Sequence, residues 1–160
     1  MLCLPPDHWI IVPDTNVYIH GRMFHEVEWH REMNVKQATL VMPLVVLDEL
    51  DRIKDRDSDF GRYAGVVLRA LDNVTSGKDW LAPIRMRARV TLQLVNEPLG
   101  HVRRKGNDDE IVRQAGYFAQ LNEGRLVLLT RDRGMRVRTQ ASGLIGKYLP
   151  DNLVRTGKTL

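Results

Sequence analysis

The sequence predicts an α/β fold, a three-layer α/β/α domain built around a doubly wound, mostly parallel central sheet. Three observations carry that expectation. Short apolar runs closed by turn residues alternate, from Trp9 to Leu149, with segments whose apolar residues recur at helical spacing. The 160 residues suit one such domain with a full core. Apolar residues make up 43% and charged residues 28% of the chain, the balance of a globular protein. The longest apolar run, Leu40 to Leu47 with Pro43 inside it, is far too short to span a bilayer.

Trp9 to Val12 is an apolar run closed by Pro13 and Asp14, which predicts a buried first strand with Asp14 at its C-terminal end. Beyond Thr15 and Asn16 the pattern is helical to about Met33, with Gly21 as a break, and Thr39 to Met42 forms a second strand. Pro43 opens the next helix, where a missing N–H costs nothing. There Leu44, Leu47, Leu50 and Ile53 share an apolar face, Glu49 lies about 100° away at the boundary with water, and Asp48 points to the surface. Phe60 to Val74 is a second amphipathic helix with Tyr63, Val66, Val67, Ala70 and Leu71 inward, and Thr75 to Pro83 is a loop.

Ile84 to Leu94 alternates cleanly, with Met86, Ala88, Val90, Leu92 and Leu94 on one face and Arg85, Arg87, Arg89, Thr91 and Gln93 on the other. That predicts a single strand buried on one side. The three arginines are either an RNA track or a charged guard on a sheet edge. A basic loop from Glu97 to Gly106 precedes a helix from Asn107 to about Glu123. Leu126 to Leu129 is another buried strand, Arg133 to Ser142 a helix stopped by Gly143, and Leu144 to Leu149 a last short strand. Residues 1–7 and 151–160 read as tails around a domain of residues 8–150, the second tail being placed to lead into a further domain of a longer protein. Gly157, Lys158 and Thr159 do not complete a phosphate-binding loop, which would need a glycine where Asn152 stands.

A single cysteine, Cys3, rules out an intramolecular disulfide and a cysteine-based zinc site. With no secretion signal at the N-terminus, a reducing cytoplasm is the expected compartment. Lysine and arginine number 24 against 20 acids, a net charge of +4 with a pI near 9.5, which favours polyanion partners. His20, His25 and His30 recur every five residues and so do not stack as a ligand pair on a helix.

Four carboxylates stand at equivalent places: Asp14 after the first strand, Glu49 early in a helix, Asp108 at a helix start, and Asp132 past the third buried strand. In a doubly wound fold such places converge at the carboxyl ends of the strands. Each acid has a bland alternative, since Asp14 and Asp132 could cap the helices that follow and Asn107 to Glu110 fits a helix start. Capping is served equally by serine, threonine and asparagine, so four acids at four matching positions favour a hard divalent cation among them, Mg²⁺ or Mn²⁺.

The order Val12-Pro13-Asp14-Thr15-Asn16, then Met42-Pro43 through Glu49-Leu50-Asp51, then Gly106-Asn107-Asp108-Asp109-Glu110-Ile111, then Leu129-Thr130-Arg131-Asp132 resembles the PIN domain family over nearly the whole chain. The resemblance implies a PIN-like fold and a Mg²⁺- or Mn²⁺-dependent endoribonuclease acting on single-stranded RNA. It implies Asp14, Glu49, Asp108 and Asp132 as metal-binding and catalytic acids. Asp109 is an alternative or helper to Asp108, and Asn16 and Thr130 are auxiliary polar residues. Arg103, Arg104, Lys105 and Arg133 are the expected phosphate contacts. The layout is similar to PIN domains of toxin–antitoxin pairs and, through the long Phe60 to Val74 helix, to those fused to PhoH-type ATPases or found in RNA-decay factors. An antitoxin, a fused ATPase domain and a second copy of the chain are the partners this leaves open. The alternative to the nuclease is a catalytically idle PIN fold serving as an RNA-binding or protein-docking module.

Overall fold

Helical crossovers between successive strands make five of the six strands of the central sheet parallel. The computed structural model describes Pro5 and residues 7–156. The remainder of the expected N-terminal tail, including Cys3, and the Gly157 to Thr159 segment lie outside the described residues. In chain order the elements are β1 (His8–Pro13), α1 (Thr15–His20), α2 (Trp29–Glu32), β2 (Gln37–Pro43), α3 (Leu44–Lys54), α4 (Asp59–Thr75) and β3 (Ile84–Arg87). They continue with β4 (Val90–Val95), α5 (Asn107–Leu121), β5 (Leu126–Thr130), α6 (Arg133–Ala141) and β6 (Ile145–Tyr148).

The sheet order is β3-β4-β2-β1-β5-β6, with only β3 antiparallel to its neighbour. The chain steps outward from β1 through β2 to β4, returns across the sheet to β5 on the other side of β1, and moves on to β6. Right-handed crossovers then put α1 to α4 on one face and α5 and α6 on the other, with the direction of winding reversing between β1 and β5. The expected three-layer, doubly wound architecture is what the chain adopts. The central strands are continuous apolar runs because helices cover both faces: Ile10 to Val12, Leu40 to Met42 and Leu126 to Leu129 are all buried.

Several elements differ from their sequence reading. The helix expected to reach Met33 ends at Gly21, whose extended backbone bridges Val154; a Cβ there would lie 2.5 Å from the Val17 carbonyl oxygen. Only the single turn of α2 follows. Ile84 to Leu94 is a hairpin rather than one strand, turning at Ala88 and Arg89. A two-residue turn alone would shift the phase by one residue, but a bulge between Arg85 and Arg87 restores it, so Ile84 pairs with Leu92 and Arg85 with Thr91 and the alternation runs on through the reversal. Gln93, expected on the solvent face, is buried and donates its amide to the Leu81 carbonyl (2.9 Å). The buried stripe of α3 falls on Val45, Val46 and Leu50, with Leu44, Leu47 and Ile53 half-buried, because α3 packs against α1, α4 and α5 as well as β2.

Residues 151–156 do not trail from the domain. A 3₁₀ turn at Asp151–Leu153 buries Leu153, and the Arg155 guanidinium stacks 3.8 Å from the Tyr63 ring centre. The edge strand β3 is four residues long and carries exposed Arg85 and Arg87, a short and charged edge that discourages pairing with other chains. Among the described residues no helix is long and apolar enough to cross a membrane.

The corner between α3, which carries Glu49, and α4 is tight. It is held by Gly61, whose backbone N–H donates to the capping Ser58 hydroxyl (3.1 Å). A Cβ on Gly61 would sit 2.0 Å from the Arg56 carbonyl oxygen and 2.9 Å from that of Ile53, both backbone atoms. Gly61→Ala is therefore expected to lower stability by about 1–3 kcal/mol. Urea unfolding checks it: a clear fall in midpoint is the expected result, and an unchanged midpoint would mean that the corner is loose.

Candidate active site

The β1–β5 ladder extends one step past the strand ends, where the Asp14 N–H donates to the Leu129 carbonyl (2.9 Å). This sets Asp14 beside Thr130 at the point where the winding reverses. Asp14 is the N-cap of α1, its Oδ1 accepting the Val17 N–H (3.0 Å), and its Oδ2 accepts the Thr130 hydroxyl (2.5 Å). Thr130 is fully buried, and the same hydroxyl oxygen accepts the Asp132 N–H (2.9 Å). One threonine thus orients the first and last of the four acids.

Asp132 in turn caps α6 through Oδ1 and the Gly134 N–H (2.6 Å), and its Oδ2 has no hydrogen bond among the described residues. Glu49, half-buried in α3, has its Oε2 held by the Thr15 hydroxyl, next to Asp14. Asp108 stands in the first turn of α5.

Electrostatic coupling between the acids is direct. Burial pushes the Asp14 carboxyl up to about 6; hydrogen bonds from Thr130 and Val17 oppose the rise, and the charges of Asp108 and Glu49 add to it. Asp108 is also raised, first by lost hydration and then by Glu49, with Asp132 and Asp109 adding and Arg138 opposing. The four acids therefore share one region of negative potential. They are not collapsed onto one point, since no three of them bring carboxylate oxygens all within 4.8 Å of one another. Mg²⁺ and Mn²⁺ prefer oxygen donors, and Mg²⁺ commonly keeps several waters while taking only one or two carboxylates directly, so ligation does not require a tighter cluster.

The other residues singled out from the sequence are distributed as follows. Asp109 is in an ion pair with Arg138 (2.8 Å), whose charge also acts on Asp108 and Asp132. Asn16 is exposed. Arg103 is not free: its guanidinium lies between Asp48 (2.7 Å) and Glu97, so Asp48 is half-buried in an ion pair instead of open surface. Arg104, Lys105 and Arg133 are exposed, with no ion-pair partner among the described residues.

A second cluster was not anticipated. Glu97, His101 and Glu110 place ligand-type atoms within 4.8 Å of one another beneath the basic loop. Glu110 is 1% exposed and accepts from His101 Nε2 (2.5 Å), Gln114 Nε2 (2.8 Å) and the Arg104 N–H (2.9 Å). Burial alone would raise its pKa, but the Arg104, Gln114 and His101 contacts outweigh burial and hold it below the usual range. With its oxygens already supplied with protein donors, this carboxylate ties the loop carrying Arg104 and Lys105 to α5. Its only signal in the sequence was a glutamate at the third position of a helix, which also suits an exposed capping role. Thr15, as the holder of Glu49, left no signal beyond its place after Asp14.

Comparison with known proteins agrees with this geometry. No curated protein matches the sequence. A domain of a functionally unknown protein from Methanocaldococcus jannaschii DSM 2661 superposes with a TM-score of 0.60 at 20% identity, covering 95% of this chain and 99% of that one, which demonstrates a shared fold. The family model of the PIN domain matches residues 11–147, from within β1 to within β6, a span that contains all four acids. The chain belongs to the PIN domain family, whose members are generally nucleases that typically use divalent metals.

Proposed function

We propose that this chain is a divalent-metal-dependent endoribonuclease that hydrolyses phosphodiester bonds of single-stranded RNA, with Asp14, Glu49, Asp108 and Asp132 as its metal-binding acids. The observation that supports this most strongly is the gathering of acids around a nearly dry Asp14, whose charged form burial disfavours first and the neighbouring carboxylates further. Asp14 feels Glu49 and Asp108, Asp108 feels Asp132, and Arg138 eases Asp108. Like charges so placed are costly unless a cation lies among them.

Asp14 and Asp132 would hold the ion with orientations set by the Thr130 hydroxyl and by their capping bonds, and Glu49 with the orientation set by Thr15. A bound Mg²⁺ or Mn²⁺ would supply Lewis acidity toward the scissile phosphate and make its own water a stronger acid. Because Asp14 gains its charge only near pH 6, the site's affinity for cations rises with pH through that region. Arg104, Lys105 and Arg133, exposed and close in sequence to Asp108 and Asp132, would hold neighbouring phosphates, contributing affinity with little base selectivity. Arg103 acts indirectly, by fixing the loop to Asp48 and Glu97.

Replacing Asp14 with Asn should lower cleavage of labelled single-stranded RNA in Mn²⁺ by roughly a hundredfold or more, the scale of several kcal/mol of lost charge stabilisation. Cleavage by Asp14→Asn at the wild-type rate would refute the assignment.

The raised Asp14 pKa also has a thermodynamic consequence when divalent ions are chelated. The folded state binds this proton more tightly than the unfolded chain, whose carboxyl titrates near 3.8. Below pH 3.8 both states hold the proton and Asp14 contributes nothing; as pH rises toward 6 the folded state loses stability, and above that the full penalty applies. Its size is on the order of 3 kcal/mol. Asp14→Asn removes the titration and loses a hydrogen bond in a manner independent of pH. The stability of the variant relative to wild type should therefore rise between about pH 4 and pH 7 in denaturant titrations. A pH-independent difference would contradict the buried, strained carboxylate.

A further inference from the structure

A groove of about 880 Å³ opens at the opposite end of the sheet from the acids, lined by Glu28, His30, Arg31, Lys36, Arg87 and Arg89 among others. It lies where β2 and β4 begin, whereas the acids lie past the C-terminal ends of β1 and β5 and in the helices beside them. Four features distinguish it from an ordinary basic surface. It presents four strongly basic side chains against the single carboxylate of Glu28. Arg31 pairs with Glu28 (2.9 Å) and Lys36 with Asp7 (2.8 Å), which leaves Arg87 and Arg89 with no ion-pair partner among the described residues. His30 is 9% exposed, and its Nδ1 is buried with no hydrogen-bond partner. Leaving a buried polar atom unpaired is expensive, and a small turn of the His30 ring, which lines the groove, would let a ligand there satisfy it.

The fourth feature is backbone strain. Arg89 has φ of 65°, in the left-handed region where glycine or asparagine is far easier to place. A long cationic side chain held there against local preference belongs to the kind of outlier that accumulates at binding sites. Unpaired guanidinium groups are matched in shape and charge to phosphate oxygens.

We propose that this groove is a second contact for the RNA strand, in which Arg87 and Arg89 hold phosphodiester oxygens and His30 supplies a further hydrogen bond. The inference rests on the nuclease reading above for its ligand. The seven residues of β2 separate the groove from the acid end by roughly 20 Å at about 3.3 Å per residue. Only an RNA several nucleotides long can engage both, and the groove therefore selects for length and leaves the chemistry at the acids untouched. Arg85, which does not line this groove, keeps the role of edge guard.

The test uses the whole chain with Arg87→Gln and Arg89→Asn combined, asparagine being tolerant of the left-handed turn, and separately His30→Gln, with thermal melting as the control for folding. Binding of a tetranucleotide and of an RNA of about 20 nucleotides is measured against salt in chelator, and cleavage of the tetranucleotide is measured in Mn²⁺. The double variant should bind the long RNA about tenfold more weakly, with its log-log salt slope reduced by roughly 1.4, the value for two phosphates on a single strand. His30→Gln should weaken the long RNA by a smaller factor, and all three proteins should treat the tetranucleotide alike. Unchanged long-RNA affinity and slope would overturn the proposal, as would an equal loss for both RNAs. Inorganic phosphate binding is titrated on the same proteins, and its loss in the double variant with long-RNA affinity unchanged would also overturn the proposal, assigning the groove to a free anion. If the wild type cleaves nothing yet the length-dependent binding is lost in the variants, the nuclease reading fails and the RNA contact stands.

Discussion

Asp14 is 4% exposed, and a carboxylate buried to that degree must be neutralised, hydrogen-bonded or coordinated to be tolerated. Two hydrogen bonds are provided, from the Val17 N–H and the Thr130 hydroxyl, and they do not suffice: burial, reinforced by Asp108 and Glu49, still pushes the group up to about 6. The fold leaves this deficit in place at the reversal of winding between β1 and β5, where the strand ends and the first turns of α1 and α6 meet. What surrounds Asp14 makes the deficit larger. Glu49 is tied to the adjacent Thr15, and Asp132 is tied to the same Thr130 that serves Asp14. Natural proteins keep such unfavourable sites where a ligand or a reaction uses them.

Capping and metal ligation are compatible in this arrangement. Asp14 and Asp132 each cap a helix with Oδ1, so their positions are set by backbone geometry to within a hydrogen bond. The second oxygen differs: in Asp132 it is without a hydrogen bond among the described residues, and in Asp14 it is held by Thr130. A cap that orients one oxygen pre-organises the other, and rigid placement of donors is what a functional site requires of its scaffold. The same logic extends to the basic loop, where buried Glu110 and the Arg103 ion pairs hold the segment from which Arg104 and Lys105 project.

Much of this was legible in the residues. Period and punctuation marked β1, β2, β5 and the helices from Leu44, Phe60 and Asn107 onward, because long apolar runs and helical spacing reflect burial directly. The four acids were legible as a group because their positions relative to strand ends repeat. What escaped was whatever depends on tertiary partners. Nothing local told that Gly21 would pair with Val154, or that Leu153 and Arg155 would pack back over the domain. The reversal at Ala88 and Arg89 was hidden because the bulge beside it brings the alternation back into phase and because arginine is an unexpected residue at positive φ. Glu110 was indistinguishable from a solvent-exposed cap until His101 and Gln114 were seen to converge on it.

The central claim is that the carboxylates around Asp14 form one site whose repulsion a divalent cation relieves. Thermal melting of the wild type and Asp14→Asn at neutral pH, each with chelator and with Mn²⁺, tests it most directly. Saturating Mn²⁺ should stabilise the wild type by about 2.7 kcal/mol at a hundredfold excess over the dissociation constant, a rise of roughly 5–10 °C for a chain of this length. Asp14→Asn should melt no lower than the wild type in chelator and show little response to Mn²⁺. A wild type indifferent to Mn²⁺, or an Asp14→Asn variant that is weaker in chelator yet keeps the full shift, would contradict the account and leave Asp14 as a helix cap alone.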